Sequence, residues 1–193
     1  MHGAVSLRLI KRKDAKHLQE LLTLQRDWLE PWEATTPGIR SLPNAKWLIS
    51  GLLSAYRDES ALPLVILFEG ELVGQLNISN ILHGSVSSGT IGYWVSQEVA
   101  GRGIMTSAVA QAIDYAFWNL GLHRIEIDIR PENIPSLRVV EKLGLRQEGT
   151  KRNFIHIDGA WRDHHVFAIT KEELSGRLVK RISNEHTRKN MDK

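Results

Sequence analysis

The chain has 193 residues, 42% apolar and 24% charged, which suits one globular domain with a buried core and excludes an intrinsically disordered chain. It contains no cysteine, so disulfides, thiolate metal sites and a cysteine nucleophile are excluded, and the reducing cytoplasm is the expected location. The net charge of +3 would allow contact with nucleic acid or an anionic cofactor, but the basic residues are spread along the chain and alternate with acids, so the charge points weakly to either.

Met1 to Lys13 lacks the unbroken apolar run of a secretory signal, and no stretch reaches membrane-spanning length. Ser6 to Ile10 alternates as a short strand. Asp14 then stands at a helix N-cap position ahead of Ala15, Leu18, Leu21 and Leu22. Pro31, in the run Trp28 to Glu33, cannot continue that helix, and a Pro/Thr/Gly stretch follows to Pro43. A second helix is expected over about Asn44 to Tyr56. Leu64 to Phe68 and Leu72 to Ser79 flank Glu69-Gly70-Glu71 as an antiparallel hairpin, with Thr90 to Val95 as its third strand.

Met105, Ala108, Val109, Ala112, Ile113, Ala116, Phe117 and Leu120 repeat with helical spacing, and Gly121 ends that helix. Arg124 to Ile129 reads as a strand, and Pro135 opens a helix that Gly144 closes. Gln147 to Ile157 pairs with Trp161 to Ile169 across Asp158-Gly159, a strong hairpin signal. Thr170 and Glu173 form a capping box expected to start a C-terminal helix. Residues 171–193 carry seven Lys and Arg against four Asp and Glu, as a solvated helix and basic tail after a single domain over 1–170. The order βαα-βββ-αβαββ-α predicts an α/β fold, a mixed sheet with helices on its faces.

The segment Ser96 to Met105 joins a strand to the long helix. Gly101 and Gly103 lack Cβ atoms and let backbone N–H groups approach an anion. The helix start adds open N–H donors and the positive end of its dipole, and Arg102 adds a fixed charge. A dinucleotide-binding Gly-x-Gly-x-x-Gly pattern would need glycine where Thr106 stands, and no Gly-Lys-Ser/Thr occurs.

This loop resembles the cofactor loop of the GNAT superfamily of N-acetyltransferases, Gln/Arg-x-x-Gly-x-Gly/Ala, with Glu98 in the first position as a departure. Leu120 to Glu126, Asn133-x-x-Ser136, Glu141 to Leu145, Ile157 to His164 and Pro31-Trp32-Glu33 resemble the ribosomal-protein-alanine branch, the RimJ and RimL type. The resemblance implies a GNAT fold, acetyl-CoA as cosubstrate without a metal, and a peptide or protein N-terminus as partner. It implies no membrane and no direct nucleic-acid recognition, and leaves room for a homodimer. The cofactor would lie on the loop from Gly101 through Arg102, Gly103 and Ile104 to Met105. A backbone N–H from Trp94, Val95 or Ser96 would bind the carbonyl oxygen, and Asn133 would bond the cofactor arm or cap its helix.

For the departing thiolate, Val140 fills the position of the family's tyrosine, which leaves Ser136, a residue equally suited to satisfying a backbone N–H at the helix start. For the general base, Ile155 replaces the glutamate of the RimL type. Glu126 and Asp128 alternate on one strand face opposite Ile125, Ile127 and Ile129, so Glu126 is either a base or a structural ion-pair partner. Glu33 is a substrate-side alternative, beside Trp32 at the substrate mouth. Trp94, Trp118 and Trp161 are expected in the core or the cofactor wall. His164 and His165 are adjacent on a strand, point to opposite faces and make a poor metal pair. The readings left open are transfer to a peptide N-terminus, transfer to a small amine such as an antibiotic or polyamine, and a silent CoA-binding or partner-binding domain.

Overall fold

The computed structural model describes residues 4–38 and 44–183. Its strands are β1 (Val5–Leu9), β2 (Leu62–Phe68), β3 (Glu71–Leu82), β4 (Ser88–Val95), β5 (Arg124–Ile129), β6 (Arg146–Ile157) and β7 (Ala160–Thr170). Its helices are α1 (Ala15–Leu24), α2 (Arg26–Leu29), α3 (Ala45–Arg57), α4 (Ile104–Trp118), α5 (Ile134–Leu143) and α6 (178–183). The strands form one mixed sheet in the order β1-β2-β3-β4-β5-β7-β6, in which only β4 and β5 run parallel.

Apolar patterning explains which strands are covered on both faces. β2 reads Leu-Pro-Leu-Val-Ile-Leu-Phe without alternation and is buried almost throughout. On one side Ile66, Leu76, Ile78, Ile91, Ile113, Phe117 and Ile125 form the larger core beneath α4 and α5. On the other, Leu18, Leu22, Ile49, Val65 and Leu72 pack beneath α1 and α3. β5 alternates instead, with Ile125, Ile127 and Ile129 buried and Arg124, Glu126 and Asp128 partly exposed.

Both expected hairpins form with two-residue turns in which both residues have positive φ, Glu69-Gly70 (53° and 89°) and Asp158-Gly159 (48° and 74°). Asn44 caps α3 by accepting from the N–H groups of Lys46 and Trp47.

Three local readings need correction. Asp14 holds the N-cap position of α1, but its side chain does not cap that helix: the carboxylate accepts from Lys11 N–H and pairs with Arg8 at 2.7 Å, closing a 3-10 turn ahead of it. The Thr170 and Glu173 capping box forms, but only the short 3-10 turn Lys171–Glu173 follows it. The terminal helix starts later, where buried Asp114 of α4 accepts from the N–H groups of Leu178 and Val179 and Leu178 enters the larger core. Residues 184–193 of the expected basic tail lie outside the described residues. Trp118 and Trp161 are exposed rather than in the core: Phe117 takes the inward face of α4, and Trp161 lies on the β7 face against His156.

Candidate active site

The site begins where the sheet comes apart. β4 and β5 are in register only from Ser88↔Arg124 to Thr90↔Glu126, so β4 runs on to Val95 without a neighbour on that side. Its other edge stays on β3, with Gln75 opposite Trp94 and Gly74 opposite Val95. Ser96 N–H donates to the Val73 carbonyl at 2.8 Å, and antiparallel bonding alternates residue by residue. The Val95 N–H and C=O therefore point away from β3, into the gap. The Val95 carbonyl accepts from the Trp28 indole at 3.0 Å, which fixes the strand end and leaves its N–H facing the opening. Gly74 makes the approach possible, because a Cβ there would stand 2.3 Å from the Trp94 carbonyl oxygen.

The chain leaves β4 through a 3-10 turn (Gln97–Val99) and reaches α4 with Gly101 at φ 74° and Gly103 at φ 79°. Both conformations favour glycine. Ser107 N–H donates to the Gly103 carbonyl at 3.1 Å, so the N–H groups of Ile104, Met105 and Thr106 precede this bond at the open helix start. Arg102 turns away from the cleft and lies 4.7 Å over the Phe68 ring.

Glu98, the departure from the family pattern, has a partner that sequence reading missed. Buried Gln25, at the break between α1 and α2, donates to both Glu98 carboxylate oxygens at 2.8 and 3.0 Å and accepts from Gln97 N–H at 2.9 Å. The loop is thereby tied to the helix pair that carries Trp28 and Leu29.

A cleft of about 590 Å³ opens between these parts. The glycine loop, Trp94, Val95, Ile104 and Met105 line one part, Trp28 and Trp32 another, and Asn133 to Ser136 at the start of α5 a third. Asn133 caps α5 by accepting from Ser136 N–H at 3.2 Å. The Tyr93 hydroxyl is buried and makes no hydrogen bond among the described residues. Burial pushes it up to about 12, and the Ser136 side chain acts on it in the opposite sense. Val140 is fully buried in the larger core. Ser96 is turned into the fold, its hydroxyl donating to Val73 O at 2.8 Å, and is not a lining residue.

The carboxylates proposed as bases are both engaged. Glu33 pairs with Arg26. Glu126 pairs with Arg124 at 2.8 Å and lies 3.7 Å from Lys151, which also holds Asp128 at 3.0 Å; Glu126 does not line the cleft. Trp32 does line it, with the Arg130 guanidinium 5.4 Å from its ring centre and bonded to the Pro31 carbonyl. Of the two histidines, His164 is buried and bonded to the Arg162 carbonyl, while His165 contacts Thr150 across the hairpin.

A splayed parallel strand pair with a glycine loop at a helix start defines an acyltransferase-type cleft, and similarity agrees with it. Residues 5–146 match the Acetyltransferase (GNAT) domain family, so the chain belongs to the GNAT acetyltransferases. It is 30% identical over 167 residues to the [Ribosomal protein uS5]-alanine N-acetyltransferase of Escherichia coli, covering 85% of this chain and 86% of that one. A 43% identical match to the probable N-acetyltransferase YjcK of Bacillus subtilis covers 101 residues, 52% of this chain and 56% of that relative. Among solved structures, Mycobacterium smegmatis RimJ in complex with CoA-disulfide superposes with a TM-score of 0.91 at 40% identity, covering 95% of this chain and 90% of that one.

Sequence reading placed the glycine loop, Trp32, Asn133 and Ser136 on the cleft; it missed Tyr93, Gln25, Gly74 and Arg130. A tyrosine at the end of a strand that leads into a glycine loop was a usable signal for Tyr93. No local pattern announces the other three.

Proposed function

We propose that this enzyme transfers the acetyl group of acetyl-CoA to the α-amine at the N-terminus of a protein, with an alanine-initiated ribosomal protein as the acceptor. The observation that carries this is the gap between β4 and β5, where the Val95 N–H faces the opening beside the glycine loop. The names of relatives that acetylate ribosomal proteins support the choice of acceptor.

In this reading the backbone N–H groups from Gly101 to Met105 hold the pyrophosphate at the positive end of α4. Trp94 and Asn133 flank the cofactor arm. The Val95 N–H polarises the thioester carbonyl as it gains negative charge, and the Ser136 hydroxyl steadies the departing sulfur. Glu33 and Glu126 are already ion-paired, so the site supplies little general base. That favours an α-amine, whose pKa near 7.7–8.0 leaves roughly a tenth of it neutral at pH 7. A lysine amine near 10.4 is neutral in only about one molecule in 2,500. We further propose a cytoplasmic setting; among the described residues no helix is long and apolar enough to cross a membrane. A homodimer is compatible with this site and is tested by sedimentation.

The test is a panel. Acetyl-CoA should raise the melting temperature, as a ligand of the native state must, and free thiol should appear with alanine- or serine-initiated peptides far faster than with polyamines, aminoglycosides or free lysine. A polyamine as best acceptor would overturn the peptide assignment, and no thiol release with any amine would leave only a CoA-binding domain.

Ser136→Ala should reduce kcat by about tenfold while leaving acetyl-CoA affinity within about twofold, because a contact to the leaving sulfur acts mainly in the transition state. The cap acceptor of α5 is Asn133, and Ser136 contributes only its N–H to that bond, so melting temperature should hardly move. An unchanged kcat would remove Ser136 from the chemistry.

A further inference from the structure

Tyr93 lines this cleft, and its hydroxyl is shut off from solvent and bonded to nothing among the described residues. A buried hydroxyl without a partner costs roughly 1–3 kcal/mol, and such a group persists where it has a task. Its surroundings narrow the task. Tyr93 precedes Trp94 and Val95 on the stretch of β4 that has lost β5 but keeps β3, and its side chain packs against the core under α4 and α5. The one side chain acting on its ionisation is Ser136, also on the cleft wall.

We propose that Tyr93 is a positioning residue for the transfer step: its O–H, without a partner among the described residues here, donates to Ser136 Oγ when acetyl-CoA is bound, so that the serine's own hydrogen is directed at the sulfur leaving the acetyl group. The proposal rests on the acetyltransferase reading above. In the reaction the amine nitrogen bonds to the acetyl carbon, the carbon–sulfur bond breaks with its electron pair going to sulfur, and the proton lost by the amine balances the thiolate. Tyr93 gains and loses no proton. Burial disfavours its anion, so it stays a neutral donor at working pH. A serine hydroxyl carries one hydrogen and two lone pairs and can rotate. With one lone pair occupied by Tyr93, fewer orientations remain, and those that remain include the one directed at sulfur. This assigns a function to the tyrosine that is separate from Val140, which occupies the family's usual tyrosine position deep in the core.

The experiment is a double-mutant cycle with acetyl-CoA and an alanine-initiated peptide, following thiol release in wild type, Tyr93→Phe, Ser136→Ala and the double variant. Tyr93→Phe should lower kcat by about five- to tenfold, the size of one neutral hydrogen bond, with KM for acetyl-CoA unchanged. Adding Tyr93→Phe to Ser136→Ala should then cost less than twofold, since the group it positions is gone. Without acetyl-CoA, the melting temperature of Tyr93→Phe should stay level or rise, because the hydroxyl removed is buried and unpaired in the unliganded protein. A wild-type kcat in Tyr93→Phe, or a full multiplicative loss in the double variant, overturns the assignment. Wild-type protein that releases no thiol is a separate failure: it overturns the acetyltransferase reading, and the tyrosine assignment falls with it.

Discussion

Gly103→Val should weaken acetyl-CoA binding on the order of a hundredfold. Gly103 sits at φ 79° at the start of α4, where a β-branched residue costs about 1–3 kcal/mol of backbone strain. No atom stands within 4 Å of where its Cβ would be, so the strain comes from conformation and not from crowding within the protein. Relief of that strain rotates the peptide groups on either side, and the N–H groups at the helix start lose their common aim. Hydrogen bonds to a charged phosphate contribute about 1.5–3 kcal/mol each, and losing one or two corresponds to ten- to a thousandfold. Titration calorimetry with acetyl-CoA measures it directly, with Gly103→Ala expected between the two. Binding of acetyl-CoA by the Gly103→Val variant within threefold of wild type would remove the loop from cofactor binding.

Trp32→Ala should act on the other ligand. Trp32 enters the cleft from the turn after α2, and Arg130 both covers its ring and holds the Pro31 carbonyl. The ring is thus a fixed apolar wall suited to a small first side chain such as alanine. Truncating an aromatic anchor of this kind costs about 2 kcal/mol or more, so the KM for an alanine-initiated peptide should rise at least tenfold. Acetyl-CoA affinity should stay nearly unchanged, since the glycine loop is held by Gln25 through Glu98 and Gln97 N–H and not by the Trp32 side chain. Steady-state kinetics in both substrates separate the two effects. Equal losses in both would mean that Trp32 supports the whole cleft and does not select the acceptor.

Hairpins, strand faces and the cofactor loop were legible because their signals are local. Asp158-Gly159 dictates its turn, the isoleucines of β5 mark its buried face, and Gly101-x-Gly103 ahead of an apolar helix marks the loop. The parts that sequence reading could not place depend on pairs far apart in the chain. Gln25 and Glu98 are 73 residues apart, and Pro31 and Arg130 are 99 apart. Glu33, the substrate-side candidate, is a nearer case: Arg26 is only seven residues away, and the turn after α2 brings the two together. Asp114 of α4 caps the backbone of α6 from 64 residues away. The separation of β4 from β5 is likewise a property of the sheet: nothing in Tyr93-Trp94-Val95 records that the neighbouring strand has left.

The central claim is that the cleft acetylates an α-amine and depends on that amine's low pKa in place of a strong base. Mass spectrometry of a peptide that begins with alanine and contains an internal lysine, incubated with the enzyme and acetyl-CoA at neutral pH, tests it most directly. The account predicts a single acetyl group on the N-terminal alanine and an unmodified lysine. Acetylation of the lysine at a comparable rate, or modification of the lysine alone, would contradict it.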